Sequence, residues 1–260
     1  MKIITDEMGP LSPEQITKYE VNAVKFPVYV NDEDYIYNSI EDARKLRDIV
    51  KEGNKVTTSG LREEDLLAMY NKYKDEKIVS FHIPEAFSSA TYQTLRGIIK
   101  EKNFDITLID SKATSAGFGL QLIEMSKELK KNPDFDSFIS LINHNRKRVV
   151  LMTAFYDLNY LYRTGRIGYL KSKMGAFMKV IPLCIMRNET GIVETFGKAR
   201  NPHMINFQIL EQIKRDMKRF NSNNISLLFD CSGPHEEKMN ELIEMIKNEN
   251  WNTEIEIGEP

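Results

Sequence analysis

Residues 78–119 read IVSFHIPEAFSSATYQTLRGIIKEKNFDITLIDSKATSAGFG, and this stretch decides the fold class. Ile78–Ile83 and Ile106–Ile109 are short apolar, β-branched runs, which are typical of buried strands. Between them, Ser88 or Ser89 can cap a helix that runs to about Lys102. The Gly-Phe-Gly segment at the end of the stretch opens another helix. Strands that alternate with helices predict a mostly parallel sheet with helices on both faces.

The same alternation extends in both directions. Lys2–Thr5 and Val24–Val30 are predicted strands, and the apolar residues of Ile40–Val50 repeat with a helical period. Downstream, Val180–Met186 and Gly191–Phe196 are joined by a polar turn and predict a hairpin. The chain is therefore expected to be an α/β protein.

The pattern changes character near Asp157, where regular βα alternation gives way to a basic, glycine-containing segment. We therefore predict two domains. Residues 1–156 would form an N-terminal α/β domain with a mostly parallel sheet. Residues 157–260 would form a smaller C-terminal α/β domain with a mixed sheet.

Composition narrows the function classes. The 260 residues are 41% apolar and 28% charged, with a net charge of −2, so the overall balance favours neither nucleic acid nor an anionic membrane as partner. No apolar run is long enough to span a bilayer, and the N-terminal residues do not resemble a signal peptide. The two cysteines, Cys184 and Cys231, are expected to be free thiols. We expect a soluble, cytoplasmic protein.

Three loops that follow predicted strands are rich in hydroxyls: Thr57–Gly60, Ser88–Thr91 and Asp110–Ser115. Open α/β sheets bind ligands at the carboxyl ends of their strands, and a helix N-terminus favours an anion. Each hydroxyl taken alone is more simply explained as a helix cap. Three such loops together indicate a shared anion site.

Arg166 lies between two glycines, on a backbone that a ligand can approach closely, and arginine pairs well with a carboxylate or phosphate. An ion pair with an acid of the protein explains it equally well. The four histidines have no metal-ligand spacing, and no complete dinucleotide or phosphate-loop motif is present. We therefore expect no metal and no cofactor.

These segments, in this order, resemble the DegV family. The resemblance rests on ITDEMGPLSPEQ (residues 4–15), VTTSGL (56–61), SSATYQ (88–93), IDSKATSAGFGL (109–120), RTGRIG (163–168) and GKAR (197–200). It covers nearly the whole chain. The pair of the Gly-Arg-Ile and Gly-Lys-x-Arg segments is its most specific part.

The resemblance implies a carrier that holds one long-chain fatty acid, such as palmitate, stearate or oleate, in an apolar tunnel between two domains. Some members present the fatty acid to a fatty acid kinase, and no catalytic residue is implied. The residues expected to bind the ligand are Thr58, Ser59, Ser88, Ser89 and Arg166, with Phe118 and Met174 in the tunnel wall. Leu122, Phe177, Met178 and Ile181 are further candidates for the wall, and Arg200 matches a residue implicated in the kinase partnership.

This sequence also departs from the family pattern. Glu7 replaces the serine of the opening motif, and Pro84-Glu85 stands where small hydroxyls are usual. The sequence ends at Gly258-Glu259-Pro260, where the family usually continues into a further glycine-rich segment with a histidine near the head group. Either His82 substitutes for that histidine, or hydroxyls and Arg166 hold the head group alone, which we favour.

Two alternative functions remain open. A phosphotransferase-like or hydrolase-like enzyme would use the same anion pocket, with Asp6, Asp110 or His82 as the candidate base near Ser89. A scaffold without a ligand is the other alternative.

Overall fold

The computed structural model describes residues 1–37, 40–102, 104–158, 180–231 and 235–259. Up to Asp110 the elements are β1 (Lys2–Asp6), α1 (Pro13–Lys18), β2 (Asn22–Val24), β3 (Val28–Val30), β4 (Glu33–Tyr35), α2 (Ile40–Lys51), β5 (Val56–Thr58), α3 (Glu63–Lys72), β6 (Ile78–His82), α4 (Ser89–Glu101) and β7 (Ile106–Asp110). They are followed by α5 (Ser115–Leu129), α6 (Phe135–Arg146), β8 (Val150–Ala154), β9 (Ile181–Arg187), β10 (Ile192–Ala199), α7 (His203–Arg219), β11 (Asn224–Phe229), α8 (Glu236–Lys247) and β12 (Asn252–Ile257). The predicted α/β class is confirmed.

The chain divides into two compact units. Unit 1 comprises Met1–Glu7, Asn22–Asp110 and residues 156–158. Unit 2 comprises Met8–Val21, Ser111–Phe155 and the described residues from 180 onwards.

Unit 1 is built on a parallel four-stranded sheet in the order β2-β1-β6-β7. The central strand β6 is buried along its whole length, as a strand covered on both faces must be. A small antiparallel sheet, β4-β3-β5, lies in the same unit. The prediction of one strand over Val24–Val30 was wrong, because β2 and β3 belong to different sheets. Pro27 lies between them and has no N–H to donate to a ladder.

Unit 2 contains the antiparallel sheet β10-β9-β8 and the parallel pair β11-β12. Helix α5 packs closely on this framework because two of its positions are glycines. A β-carbon at Gly119 would lie 2.8 Å from Leu228 Cδ2, and one at Gly117 would lie 3.3 Å from Leu151 Cβ. Helix α1 joins the same unit through Glu256, which accepts a hydrogen bond from Gln15 Nε2 at 2.9 Å.

This division differs from the predicted boundary near Asp157. The chain leaves unit 1 after β7, and Ser111–Phe155 packs with the C-terminal elements. The regular βα alternation runs through this point without interruption, so the strand and helix pattern does not mark a boundary there. The signal that does exist is the glycine spacing of α5, which fits β8 and β11.

Candidate functional site

Two of the three hydroxyl-rich loops, the one after β5 and the one at the start of α4, contact each other in unit 1. They lie on the side where β1 and β6 end, which is the carboxyl edge of unit 1. Leu61 N donates to Thr91 Oγ1 at 3.1 Å, and the hydroxyls of Ser88 and Thr91 are 2.8 Å apart. Gly60 permits this approach, since a β-carbon there would lie 2.8 Å from Ala90 Cβ. The loop after β5 is therefore fastened to the first turn of α4.

The hydroxyl residues of these two loops differ in exposure and in hydrogen bonding, and Ser59 Oγ already donates to Gly60 O at 3.2 Å. Thr58, Ser59 and Ser89 are exposed, whereas Ser88 is half-buried and contacts Thr91 rather than capping the helix. Helix α4 has thirteen residues and no acid in its first turn, so its positive end is not balanced from within the helix. Such an end suits an anion.

The third hydroxyl loop is divided between the two units. Asp110 ends β7 in unit 1, whereas Ser111 and Ser115 belong to unit 2. The Ser111 hydroxyl is buried and bonds the backbone of Ala113, and Ser115 Oγ donates to Asp230 Oδ2 at 2.6 Å. Burial raises the pKa of Asp230, and the hydrogen bond from Ser115 partly opposes this. These hydroxyls are already engaged by unit 2.

A buried chain of polar side chains supports the edge of unit 1. Asp6 Oδ2 lies 3.1 Å from His82 Nδ1, and His82 Nε2 lies 2.8 Å from Ser80 Oγ. The Ser80 hydroxyl is 2.7 Å from that of Tyr70, and Ile83 N donates to Asp6 Oδ2 at 3.0 Å. Burial raises the pKa of Tyr70 to about 12. With Nδ1 protonated, Tyr70 donates to Ser80, Ser80 to His82 and His82 to Asp6.

These hydrogen bonds bear on the two roles considered for His82, which are to bind the head group or to act as the base of an enzyme. Both ring nitrogens are engaged inside the unit, and the side chain has no exposed surface. His82 is therefore part of the buried polar network of unit 1, and the assignment of hydroxyls and Arg166 to the head group stays a prediction. Sequence reasoning identified Asp6 and His82 as polar residues of interest but missed Ser80 and Tyr70. The alternation in IVSFH could have revealed Ser80 and His82 on one face of β6.

Glu85 follows the same edge, where the family pattern has small hydroxyls. Arg96 of α4 holds its carboxylate with two hydrogen bonds of 2.6 and 2.7 Å. The bond from Arg96 lowers the pKa of Glu85. The acid is therefore paired with a cation of the protein.

Glu7 is a second acid at this edge, and its environment differs. It follows β1, and its Oε1 accepts a hydrogen bond from Phe26 N at 3.0 Å. Burial raises the pKa of Glu7 to about 7, with Asp6 adding to the rise, whereas the Phe26 hydrogen bond and Lys25 lower it. At neutral pH this carboxyl exchanges between its charged and uncharged forms.

Unit 2 contains a mainly apolar cavity of about 300 Å³. Its walls come from α5, α6 and α7 and from β8 and β11, one strand from each sheet of this unit. Among the lining side chains are Met125, Phe138, Met152, Ile213, Met217 and Leu227. A cavity of this size and character falls at the lower end of the range for small-molecule sites, roughly 300–1,000 Å³.

Those residues of the predicted tunnel wall that the structure describes do not line this cavity. Phe118 and Leu122 are buried in α5 on positions that do not line this cavity, and Ile181 begins β9. Met174, Phe177, Met178 and Arg166 lie outside the described residues. Arg200 is exposed just after β10. The ligand and kinase roles of these residues stay predictions.

Within the described ranges, no helix is long and apolar enough to cross a membrane, and no group of three potential ligands is arranged for a metal ion. Cys184 and Cys231, both described, form no disulfide. The chain is thus a two-unit α/β protein with a hydroxyl-lined helix end in one unit and an apolar cavity in the other.

Comparison with known proteins gives the family. A model described as "Uncharacterised protein, DegV family" matches residues 1–259, and the chain belongs to the DegV family. Among curated relatives, a DegV domain-containing protein of Staphylococcus aureus (strain COL) is 23% identical over 220 residues, covering 84% of this chain and 76% of that protein. One from Clostridium perfringens (strain 13 / Type A) is 28% identical over 206 residues, covering 76% and 71%.

Solved structures share the fold. A DegV family protein from Thermus thermophilus, described by its fatty acid binding, superposes with a TM-score of 0.85 at 21% identity, covering 99% of this chain and 91% of that one. A stearic-acid-binding protein from Eubacterium ventriosum gives a TM-score of 0.79 at 21% identity, covering 99% and 92%. DegV of Bacillus subtilis, described as a fatty acid binding protein, gives 0.80 at 18% identity, covering 98% and 90%.

Proposed function

We propose that this chain binds one long-chain fatty acid and acts in the cytoplasm as a carrier, without a cofactor and without making or breaking a covalent bond. The observation that carries the proposal is the apolar cavity of about 300 Å³ in unit 2. The fatty acids bound by the Thermus and Eubacterium relatives support it. Presentation of the ligand to a kinase, with Arg200 at the contact, is the further step that the family resemblance suggests.

A fatty acid has an apolar chain and a charged head group, and the two require different binding groups. Burying a methylene group stabilises the bound state by about 0.8 kcal/mol, so an acyl chain is expected to provide most of the affinity. In this proposal the acyl chain occupies the cavity of unit 2. Of the total, on the order of 10 kcal/mol for a long chain, part is lost to the costs of association.

The carboxylate is assigned to Ser59 and Ser89 of unit 1, with Arg166. Hydroxyl groups and the positive end of α4 can each stabilise an anion, and hydrogen bonds to a charged group are worth roughly 1.5–3 kcal/mol each. His82 takes no part, since its ring nitrogens bond Ser80 and Asp6. The enzyme alternative would then need Asp110 or another group as its base.

Mass spectrometry of lipid extracted from the purified protein tests the proposal. We expect up to one fatty acid per chain. After delipidation, saturated acids of increasing length should bind about fourfold more tightly for each added methylene, which corresponds to about 0.8 kcal/mol. An alcohol of equal chain length is the control for the carboxylate. Protein that stays empty with palmitate, stearate and oleate would contradict the carrier function.

A further inference from the structure

Glu7 follows β1 in unit 1, and its carboxyl group accepts one hydrogen bond from the described residues. Its Oε1 accepts from Phe26 N at 3.0 Å, and no other hydrogen bond to its carboxyl is found among the described residues. Within the described ranges, the second carboxyl oxygen of Glu7 accepts no hydrogen bond. Asp6, the preceding residue, is instead bonded by His82 and by Ile83 N.

Short backbone links connect Glu7 with the hydroxyl loops. Phe26 donates to Glu7, and the next residue, Pro27, accepts a hydrogen bond from Ser59 N at 3.3 Å. Ser59 leads through Gly60 into the contact with the first turn of α4. Phe26 and Pro27 thus connect Glu7 with Ser59, and Leu61, two residues further along, connects the same loop with Thr91 in the first turn of α4.

The charges around Glu7 do not fix it in its ionised form. Lys25 is the basic neighbour, but its Nζ donates to Tyr37 O at 2.9 Å and lies 5.0 Å from the centre of the Tyr37 ring. Asp6 carries like charge, and burial disfavours the carboxylate, so the pKa of Glu7 rises to about 7. An anionic ligand nearby would favour the uncharged acid still more, because two carboxylates in one partly buried site do not both ionise readily.

We propose that Glu7 is a specificity-determining residue that takes up a proton when a fatty acid binds and donates its O–H to the ligand carboxylate. The inference rests on the proposed function. It assigns the ligand class as carboxylic acids and makes binding proton-linked. The replacement of the family's serine by Glu7 would preserve a hydrogen-bond donor at this position while adding a dependence on pH.

Binding of dodecanoate to the delipidated full chain, measured by calorimetry from pH 6 to pH 9, tests this inference. In the unmodified chain the Kd should be nearly constant below pH 7 and rise up to tenfold per pH unit above it. Glu7→Gln and Glu7→Ser should both abolish the rise. Glu101→Gln, an exposed acid at the end of α4, is the matched control and should keep it.

The number of protons gives a second readout. Calorimetry at pH 8 in two buffers with different ionisation enthalpies should show nearly one proton taken up per ligand by the unmodified chain and almost none by Glu7→Ser. Equal pH profiles in the unmodified chain and both Glu7 variants would overturn the inference while leaving fatty acid binding intact. Absence of binding at every pH would overturn the proposed function as well.

Discussion

The buried polar network around β6 in unit 1 and the cavity between β8 and β11 in unit 2 are built from opposite kinds of side chain. Beneath the edge, polar side chains bond one another in a chain from Tyr70 to Asp6. In unit 2, mainly apolar side chains, with some charged ones, line a cavity of about 300 Å³. A paired polar network fixes positions, because any displacement leaves a buried group without its partner. An apolar cavity imposes shape and accepts any chain that fits.

This difference matches what a carboxylic acid with a long tail requires. The head group is identical in all fatty acids and benefits from fixed donors. The tail varies in length and unsaturation, and methionines such as Met125, Met152 and Met217 can adapt to it. The following substitutions test whether the polar network of unit 1 provides rigidity and whether the cavity of unit 2 recognises the acyl chain.

Asp6→Ala should have the largest effect and should act on stability. It leaves His82 Nδ1 and Ile83 N without their buried acceptor. Removing one partner from a buried polar pair costs roughly 3–5 kcal/mol in the free energy of unfolding. Urea denaturation measures the loss. Asp105→Ala, at an exposed acid just before β7, is the control and should cost less than about 0.5 kcal/mol. Equal losses would show that the polar network does not stabilise the edge.

Leu227→Trp should affect binding and leave folding intact. Leu227 lines the cavity, and a larger ring there would displace three or four methylenes of an acyl chain. At about 0.8 kcal/mol each, this corresponds to roughly a hundredfold loss of affinity for stearate. A fluorescent fatty acid displacement assay measures the loss.

Its neighbour Leu228 provides the matched control. Leu228 is buried, and its Cδ2 lies 2.8 Å from the position of a β-carbon at Gly119, so there is no space for a larger side chain. Leu228→Trp should therefore destabilise unit 2 by about 1–3 kcal/mol. If Leu227→Trp binds stearate normally, the acyl chain does not occupy this cavity.

The sequence allowed more to be predicted about the hydroxyl-rich loops of unit 1 than about the cavity of unit 2, for a physical reason. Hydroxyls at helix starts and short β-branched runs are local signals, and two of the loops they marked do contact each other where Leu61 N donates to Thr91 Oγ1. The cavity depends on the spacing between β8 and β11, which are separated by about 70 residues and belong to different sheets. No local pattern encodes that spacing. The division of the chain at Ser111 likewise depends on the packing of α5 against Leu228, which the strand and helix pattern does not encode.

Ser89→Ala should have the smallest effect of the three. Ser89 is exposed and begins α4, and the hydroxyl of Ser88, rather than its own, holds Thr91. Its removal should therefore leave the free energy of unfolding nearly unchanged.

Ser89→Ala should nevertheless weaken palmitate binding about tenfold, because one hydrogen bond to a carboxylate contributes roughly 1.5–3 kcal/mol. Thr94→Ala, which removes a hydroxyl one turn further along α4, is the control and should bind normally. The alcohol of equal chain length sharpens the test, since it carries no charge for Ser89 to stabilise and should bind both proteins alike. Unchanged palmitate affinity would make Ser89 an ordinary first residue of α4. A loss of equal size for the alcohol would instead show that the substitution disturbs the loop itself, and the division between a fixed polar edge and an adaptable cavity would then not hold at this position.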